Sequence, residues 1–350
     1  MVLFRISPSS RLILIISPRL YHTSPSLSYL PNHQQFKFRR AKLKRRLYNE
    51  HNQDSARPVD GLEKTQWCSD NENTILPTHS EDHKIEMENL FGVHPIFSAL
   101  QAKRRTFGIL YLRMSLYKAF MDSVSLHTKH PEMQAQILGR IWSEISRLNI
   151  PIMPVNKRKL DKLANCGVHQ GLVLTVSSLA IQETNNHSLL ISHHPGSVWI
   201  LINKVCDPMN LGALIRTAVY FGVDKILISA NCSRLSPVVS KASSGAMEFA
   251  CMERVNDIER VIATLVDAGW EVVGSSCSSK SSVPLSDLSS HKKTLLIVGN
   301  EGHGIEEDVL SLCTKTVTIS SGKDCPSLIN SLNVSVAAGV LLNQLSSSRR

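Results

Sequence analysis

Short apolar segments alternate with helical segments through the C-terminal part of the chain, and this alternation constrains the fold more than any other feature. Five segments are predicted to be strands, at residues 198–202, 225–228, 270–274, 294–298 and 317–319. Helices are predicted at residues 211–220, 257–268 and 333–345. Strands that alternate with helices form a parallel sheet covered on both faces. We therefore expect an α/β domain over residues 196–346 that binds its ligands beyond the carboxyl ends of the strands.

A smaller α/β unit is predicted upstream, over residues 90–182. It contains twelve Lys or Arg against four Asp or Glu, whereas residues 183–350 contain fourteen against fifteen. A basic domain beside a nearly neutral one suggests a module that docks on a polyanion beside a module that does chemistry. A charged surface that only confers solubility explains the balance equally well. His94 and His169 are predicted to be structural or RNA-contacting, and the Ser/His-rich residues 183–195 are predicted to be a hinge.

The first 49 residues contain ten Lys or Arg and no acid, and this composition is typical of a mitochondrial transit peptide. The basic run 37–46 leaves a nuclear signal or an RNA-contacting arm open as alternatives. Residues 50–89 are acidic and are predicted to be a disordered linker. No apolar run reaches the length of a membrane span, and the scattered cysteines argue against a zinc site or a disulfide framework. We expect no metal and no membrane association.

Three polar loops occur where a ligand site is expected. The first runs from Asp207 to Ala218, with Asn210 as a candidate helix cap and Arg216 as a fixed cation near a helix start. The second is the Gly-rich segment 299–304, and the third is the Ser/Asn-rich segment 331–335. Each has a simpler explanation as a surface ion pair, a turn or a helix cap. Their occurrence together favours one site over three independent turns.

These loops resemble the three motifs of the SpoU/TrmH family of RNA ribose 2′-O-methyltransferases. The matching segments are N-x-G-A-x-x-R-T-A at 210–218, G-x-E-x-x-G at 299–304 and S-L-N-V-S-V-A at 331–337. The front unit, with Gly92-x-His-Pro and His169-Gln-Gly171, is similar to the L30e-like RNA-binding domain of many members. The resemblance implies an α/β SPOUT fold, in which a parallel sheet is followed by a C-terminal trefoil knot.

The resemblance also implies an activity and a site. S-adenosylmethionine is the expected cofactor, and a homodimer is the expected assembly. The implied cofactor-contacting residues are Gly299, Ile319 and Leu332, and the implied catalytic residues are Asn210, Arg216, Glu301, Ser331 and Asn333. With the leader, the chain is similar to family members that methylate a guanosine ribose in large-subunit rRNA of the mitochondrial matrix. A non-catalytic RNA-binding assembly factor and a tRNA 2′-O-methyltransferase are the alternatives.

Overall fold

The computed structural model describes ten stretches of the chain: residues 86–121, 132–165, 168–185, 189, 194–276, 282–288, 292–322, 324–326, 328 and 331–347. The predicted transit peptide and the predicted linker up to residue 85 lie outside them. No helix in these stretches is long and apolar enough to cross a membrane.

The front unit is a four-stranded sheet with helices. Its strands are β1 (Met87–Phe91), β2 (Phe107–Arg113), β3 (Ile152–Val155) and β4 (Leu172–Ser177), and its helices are α1 (Val93–Ala102), α2 (Met114–Met121), α3 (Glu132–Arg147) and α4 (Lys157–Ala164). The strand order is β1-β4-β2-β3. The β2–β3 pair is parallel, and the β1–β4 and β2–β4 pairs are antiparallel. Leu100 and Leu112 are among the fully buried residues of its core.

Two boundaries of the front unit differ from the prediction. Strand β1 begins at Met87, inside the residues predicted to be linker, because its backbone pairs with β4. At the other end, β5 (Gln182–Glu183) pairs in parallel with a strand of the second sheet, and Leu179 is buried in the core of that second sheet. The last residues assigned to the front unit therefore contribute to the second sheet.

The second sheet has eight strands, in the order β10-β12-β9-β11-β6-β7-β8-β5. After β5 the strands are β6 (Val198–Ile202), β7 (Lys225–Ser229), β8 (Met252–Val255), β9 (Glu271–Ser275), β10 (Val283–Pro284), β11 (Thr294–Val298) and β12 (Lys315–Thr318). All recorded strand pairs of this sheet are parallel. Alternate residues of β6 enter different cores, Ile200 and Ile202 one and Trp199 and Leu201 the other. The prediction of a parallel sheet covered on both faces is confirmed.

The helices of this region are α5 (Pro208–Tyr220), α6 (Pro237–Ala242), α7 (Ile258–Asp267), α8 (Glu307–Ser311) and α9 (Val334–Ser347). The sequence pattern predicted neither α6 nor α8, which have six and five residues and are too short to show a helical period. It also missed β8, whose four residues include Glu253 and Arg254. Lys225 on β7 donates to Glu253 at 2.8 Å, and this ion pair lets a charged residue lie in a central strand.

Two features of this sheet bring the motif loops together. Strands β6 and β11 are neighbours, with Ile202 opposite Val298, so the loops that follow them leave the same edge. Helix α9 packs on α5, and this contact carries the third motif to the first. The trefoil knot that the resemblance implies remains a prediction.

Candidate active site

Helix α5 begins earlier than predicted and has a different cap. The Asp207 side chain accepts a hydrogen bond from Met209 N at 3.0 Å, and Pro208 occupies the first helical position, where no N–H is needed. The prediction that Asn210 caps this helix is therefore wrong. Asn210 lies in the first turn, and its side-chain amide is available for contacts between loops. The predicted end of the helix is confirmed, with Gly222 left-handed at φ 69°.

A chain of side-chain hydrogen bonds joins the three motif loops. Asn210 Nδ2 donates to Glu301 Oε1 at 3.1 Å, and Asn333 Nδ2 donates to Asn210 Oδ1 at 3.0 Å. Asn333 Oδ1 accepts from the backbone N of Ser335 at 2.9 Å and from its hydroxyl at 2.6 Å, and so caps α9. Asn333 is thus both a cap and a site residue. Segments separated by about a hundred residues meet in one polar cluster.

The Gly-rich loop 299–304 is closed on itself. Asn300 pairs with Gly304 in a backbone bridge, and Asn300 Oδ1 accepts from the backbone N of Gly302 and of His303 at 2.9 and 3.1 Å. A Cβ at Gly299 would lie 2.3 Å from the Gly304 carbonyl. The loop therefore requires glycine at position 299 for its own packing.

Lys204 connects this loop to the end of β6. Its carbonyl accepts from Asn300 Nδ2 at 2.8 Å, and its ammonium group forms an ion pair with Glu306. Asn203, fully buried, donates to the same carboxylate at 2.8 Å. Partial burial acts to raise the pKa of Glu306, but hydrogen bonds from Lys204, the Glu306 backbone and Asn203, together with the Lys204 charge, hold that pKa below its usual value. The lysine and its partners hold the Glu301 loop against the neighbouring strand.

Arg216 is exposed on α5, six residues after Asn210, which is about 9 Å along a helix axis. Its guanidinium donates through an Nη atom to Ser244 Oγ at 3.0 Å. Ser244 belongs to the turn after α6 and has a left-handed backbone, with φ 53°. This bond holds the Arg216 guanidinium beside Ser244, and its further N–H groups can donate to an anionic ligand.

The three residues implied to contact the cofactor differ in their surroundings. Gly299 is buried under its own loop, Ile319 is partly buried against the sheet core, and Leu332 is 49% exposed. Ser331 is exposed and directly precedes Leu332. An exposed leucine next to amide and hydroxyl groups is the kind of surface that an apolar ligand with polar edges requires.

Sequence reasoning missed three residues that organise this site: Asn300, Lys204 and Ser244. Asn300 had a signal, because an Asn between glycines commonly forms a side-chain-closed turn. Ser244 had a weaker one, as the middle of Ser243-Ser-Gly245 after a helix. Lys204 had none, since its role depends on a partner about a hundred residues away.

Two residues of the front unit, His169 and Arg105, make structural contacts. His169 is buried, accepts from Gly171 N at 2.9 Å through Nδ1 and contacts Asp161 at 3.1 Å through Nε2, which agrees with the structural alternative for this residue. Arg105 is buried and donates to both carboxylate oxygens of Glu248 at 2.8 and 2.9 Å. Burial acts to lower the pKa of Arg105, but Glu248 and Glu88 raise it overall. The last arginine of the basic run 103–105 therefore joins the front unit to the second sheet.

No group of three or more His, Cys, Asp or Glu that could hold a metal ion occurs in the part of the chain that the structure describes. The polar cluster instead consists of the amides of Asn210 and Asn333, the Glu301 carboxylate and the Ser335 hydroxyl, and the Arg216 guanidinium lies farther along α5 beside Ser244. These groups can orient a ribose and a phosphate and stabilise negative charge that develops on an oxygen.

Family models match two segments of the chain. Residues 197–343 match the SpoU rRNA Methylase family, and residues 123–182 match the model described as RNA 2′-O ribose methyltransferase substrate binding. The human protein rRNA methyltransferase 1, mitochondrial, is 34% identical over 277 residues, which cover 75% of this chain and 74% of the human protein. The protein of the same name from Schizosaccharomyces pombe is 29% identical, over 75% of this chain and 90% of its own.

Solved structures give the same fold. The SpoU methyltransferase AviRb from Streptomyces viridochromogenes, crystallised with AdoMet, superposes with a TM-score of 0.54 at 19% identity and covers 75% of this chain and 90% of its own. An AdoMet-bound rRNA methyltransferase from Sinorhizobium meliloti superposes with a TM-score of 0.56 at 18% identity, over 75% and 87% of the two chains. The α/β SPOUT fold is therefore confirmed, and the chain belongs to the SpoU rRNA methylase family, because the family model matches residues 197–343 and the human relative is 34% identical over 74% of its own length.

Proposed function

We propose that this protein transfers a methyl group from S-adenosylmethionine to the 2′-hydroxyl of a guanosine ribose in mitochondrial large-subunit rRNA. One observation carries the proposal: the bonds Glu301–Asn210–Asn333 join all three family motifs in one cluster at the carboxyl edge of the parallel sheet. The family assignment supplies the reaction type and the cofactor. The guanosine and the large subunit rest on relatives, because one is named a 23S rRNA (guanosine-2′-O-)-methyltransferase and others are named mitochondrial rRNA methyltransferase 1.

The site has the chemistry to hold this cofactor. Its half-exposed Leu332 offers an apolar contact for the adenine or the methionine chain, and Ile319 lies partly buried against the sheet core. The closed loop 299–304 presents exposed backbone at Gly302 and Gly304. When bound, the cofactor supplies an electrophilic methyl group on a sulfonium.

Arg216 acts on the nucleophile as a cation. A guanidinium stays protonated in proteins, so it does not remove the hydroxyl proton itself. It instead holds the adjacent phosphate and stabilises negative charge on the 2′ oxygen as its O–H bond breaks. A phosphate oxygen or the Ser331 hydroxyl relays the proton towards solvent, and the hydroxyl gives up its own proton as it takes the new one. Asn210, Glu301 and Asn333 fix the ribose geometry, since positioning supplies much of the rate in such displacements.

The basic front unit binds the rRNA, and the acid-free leader directs the protein to the mitochondrial matrix. Exposed apolar side chains on α5 and α9 support a homodimer, because Tyr220 is 81% exposed and Met209 and Val336 are more than half exposed. Light scattering of the purified chain tests the dimer, and fusion of residues 1–49 to a fluorescent protein tests the address.

The decisive experiment maps ribose 2′-O-methylation in mitochondrial RNA from cells with and without the protein. We expect one guanosine of the large-subunit rRNA to lose its methyl group, and wild-type protein but not Arg216→Ala to restore it. Loss of a methyl from tRNA would support the tRNA alternative. Unchanged ribose methylation, together with no binding of S-adenosylmethionine by calorimetry, would support the non-catalytic assembly factor.

A further inference from the structure

The turn between α6 and the 3₁₀ helix Ala246–Glu248 contacts the two parts of the molecule that the reaction must coordinate. On one side, Ser244 Oγ accepts the hydrogen bond from Arg216 on α5. On the other side, Gly245 packs against α1 of the front unit, where a Cβ would lie 2.3 Å from Ser98 Oγ and 3.0 Å from the His94 carbonyl. Two consecutive residues, Ser244 and Gly245, thus connect the cation to the front unit.

The turn has a strained backbone held in a single conformation. Ser244 and Gly245 are consecutive left-handed residues, with φ of 53° and 82°. Their backbone N–H groups donate to Lys241 O at 3.1 Å and to Ser240 O at 2.8 Å. A non-glycine residue in this region carries a conformational cost and persists only where its surroundings fix it. The serine hydroxyl explains why a non-glycine residue is useful at this position.

The front unit supplies the residues that fix the turn. Glu248 accepts from Arg105 of the front unit and from Ser240 Oγ at 3.1 Å, and so one buried carboxylate holds both ends of the turn. Lys241 donates to Gln170 of the front unit at 2.6 Å, and Arg104 donates to the carbonyls of Glu248 and Ala250. The position of Ser244 is therefore set by contacts with the front unit.

We infer that Ser244 is a positioning residue for Arg216, and that the front unit holds it in place through this turn. By accepting one N–H of the guanidinium, the hydroxyl fixes the plane in which the remaining N–H groups face the substrate. The front unit, which the proposed function assigns to RNA binding, then also determines the geometry of the catalytic cation. This inference rests on the proposed function of Arg216.

Replacement of Ser244 separates the hydroxyl from the backbone conformation. Ser244→Gly removes the acceptor and relaxes the strained residue, so the melting temperature should stay unchanged or rise. We expect kcat to fall roughly tenfold, the effect of one lost hydrogen bond, with an unchanged Kd for S-adenosylmethionine and an unchanged KM for rRNA. Ser244→Asn keeps an acceptor in a residue that tolerates this conformation and should recover at least half of the loss on a logarithmic scale. Wild-type kcat in Ser244→Gly, or no recovery in Ser244→Asn, would overturn the positioning role.

A second pair of variants tests the contribution of the front unit. Gly245→Ala and Gly269→Ala place a methyl group at similar positive φ, 82° and 79°, but only the first meets α1. We expect kcat to fall in Gly245→Ala and not in Gly269→Ala, and to recover when Ser98→Gly is added to make room. Equal kcat in the two alanine variants would contradict the role of the front unit.

The same assays separate this inference from the proposed function. If wild-type protein methylates no RNA, the proposed function fails, and the inference that rests on it fails as well. If wild-type protein is active and Ser244→Gly equals it, only the inference fails.

Discussion

This molecule contains two polar networks that each include a glutamate but differ in burial and in role. The first, Arg105–Glu248 with Ser240, is buried between the front unit and the second sheet. The second, Glu301–Asn210–Asn333, lies at the edge of the same sheet, with Glu301 and Asn333 exposed and Asn210 partly exposed. Buried charges are costly unless they are paired, so removal of one partner from the first network is expected to destabilise the fold. Exposed polar groups can exchange partners with water at little cost, so the second is free to serve a ligand.

The largest expected effect comes from breaking the buried network. Arg105→Met leaves the Glu248 carboxylate buried without its guanidinium, and we expect unfolding to become easier by about 3–5 kcal/mol. Urea denaturation measures the change. Arg147→Met is the matched control, because Arg147 pairs with Glu144 at 2.6 Å on an exposed helix face. We expect at most about 1 kcal/mol there. Equal losses in the two variants would show that burial does not distinguish these networks.

The next largest effect is expected at Arg216, which is exposed on α5. Arg216→Lys keeps a positive charge but loses the planar fork that holds a phosphate through two N–H groups. We expect kcat to fall about 10²-fold, as for removal of one oxyanion donor, with an unchanged melting temperature. Methyl transfer to an rRNA fragment measures it, and Arg234→Lys, at an exposed position away from the motifs, is the control. Nearly full turnover in Arg216→Lys would argue against the bidentate role.

These networks also mark how far the sequence could predict the molecule. The parallel sheet and the grouping of the three motif loops were predictable, because apolar periodicity and the motifs are local signals. Only the structure shows that Asn210 bonds to the other loops, whereas Asp207 caps α5. The buried network was not predictable. Arg105 and Glu248 are 143 residues apart and have no periodic pattern, so the basic run 103–105 resembled part of a solvated surface.

A smaller effect is expected within the exposed network. Glu301→Ala removes the acceptor of Asn210 Nδ2, and water replaces it because the carboxylate is exposed. We expect stability to stay within about 0.5 kcal/mol and kcat to fall roughly tenfold, because Asn210 loses its fixed orientation. Glu307→Ala, at an exposed position on α8, controls for the loss of one acid. A stability loss comparable to that of Arg105→Met would place Glu301 with the structural network.

The smallest effect is expected at the partly exposed Lys204–Glu306 pair, which belongs to neither network. The pKa of Glu306 lies below its ordinary value of 4.5. A carboxylate with a depressed pKa stabilises the fold above the unfolded-state value, and this contribution is lost as the pH falls through the folded-state value. Glu306→Gln should therefore cost less than about 1 kcal/mol at pH 7, since solvent screens the pair. It should also flatten the decline in melting temperature below pH 4.5. An identical decline in Glu306→Gln and wild type would mean that the pair contributes nothing to the loop that carries Glu301.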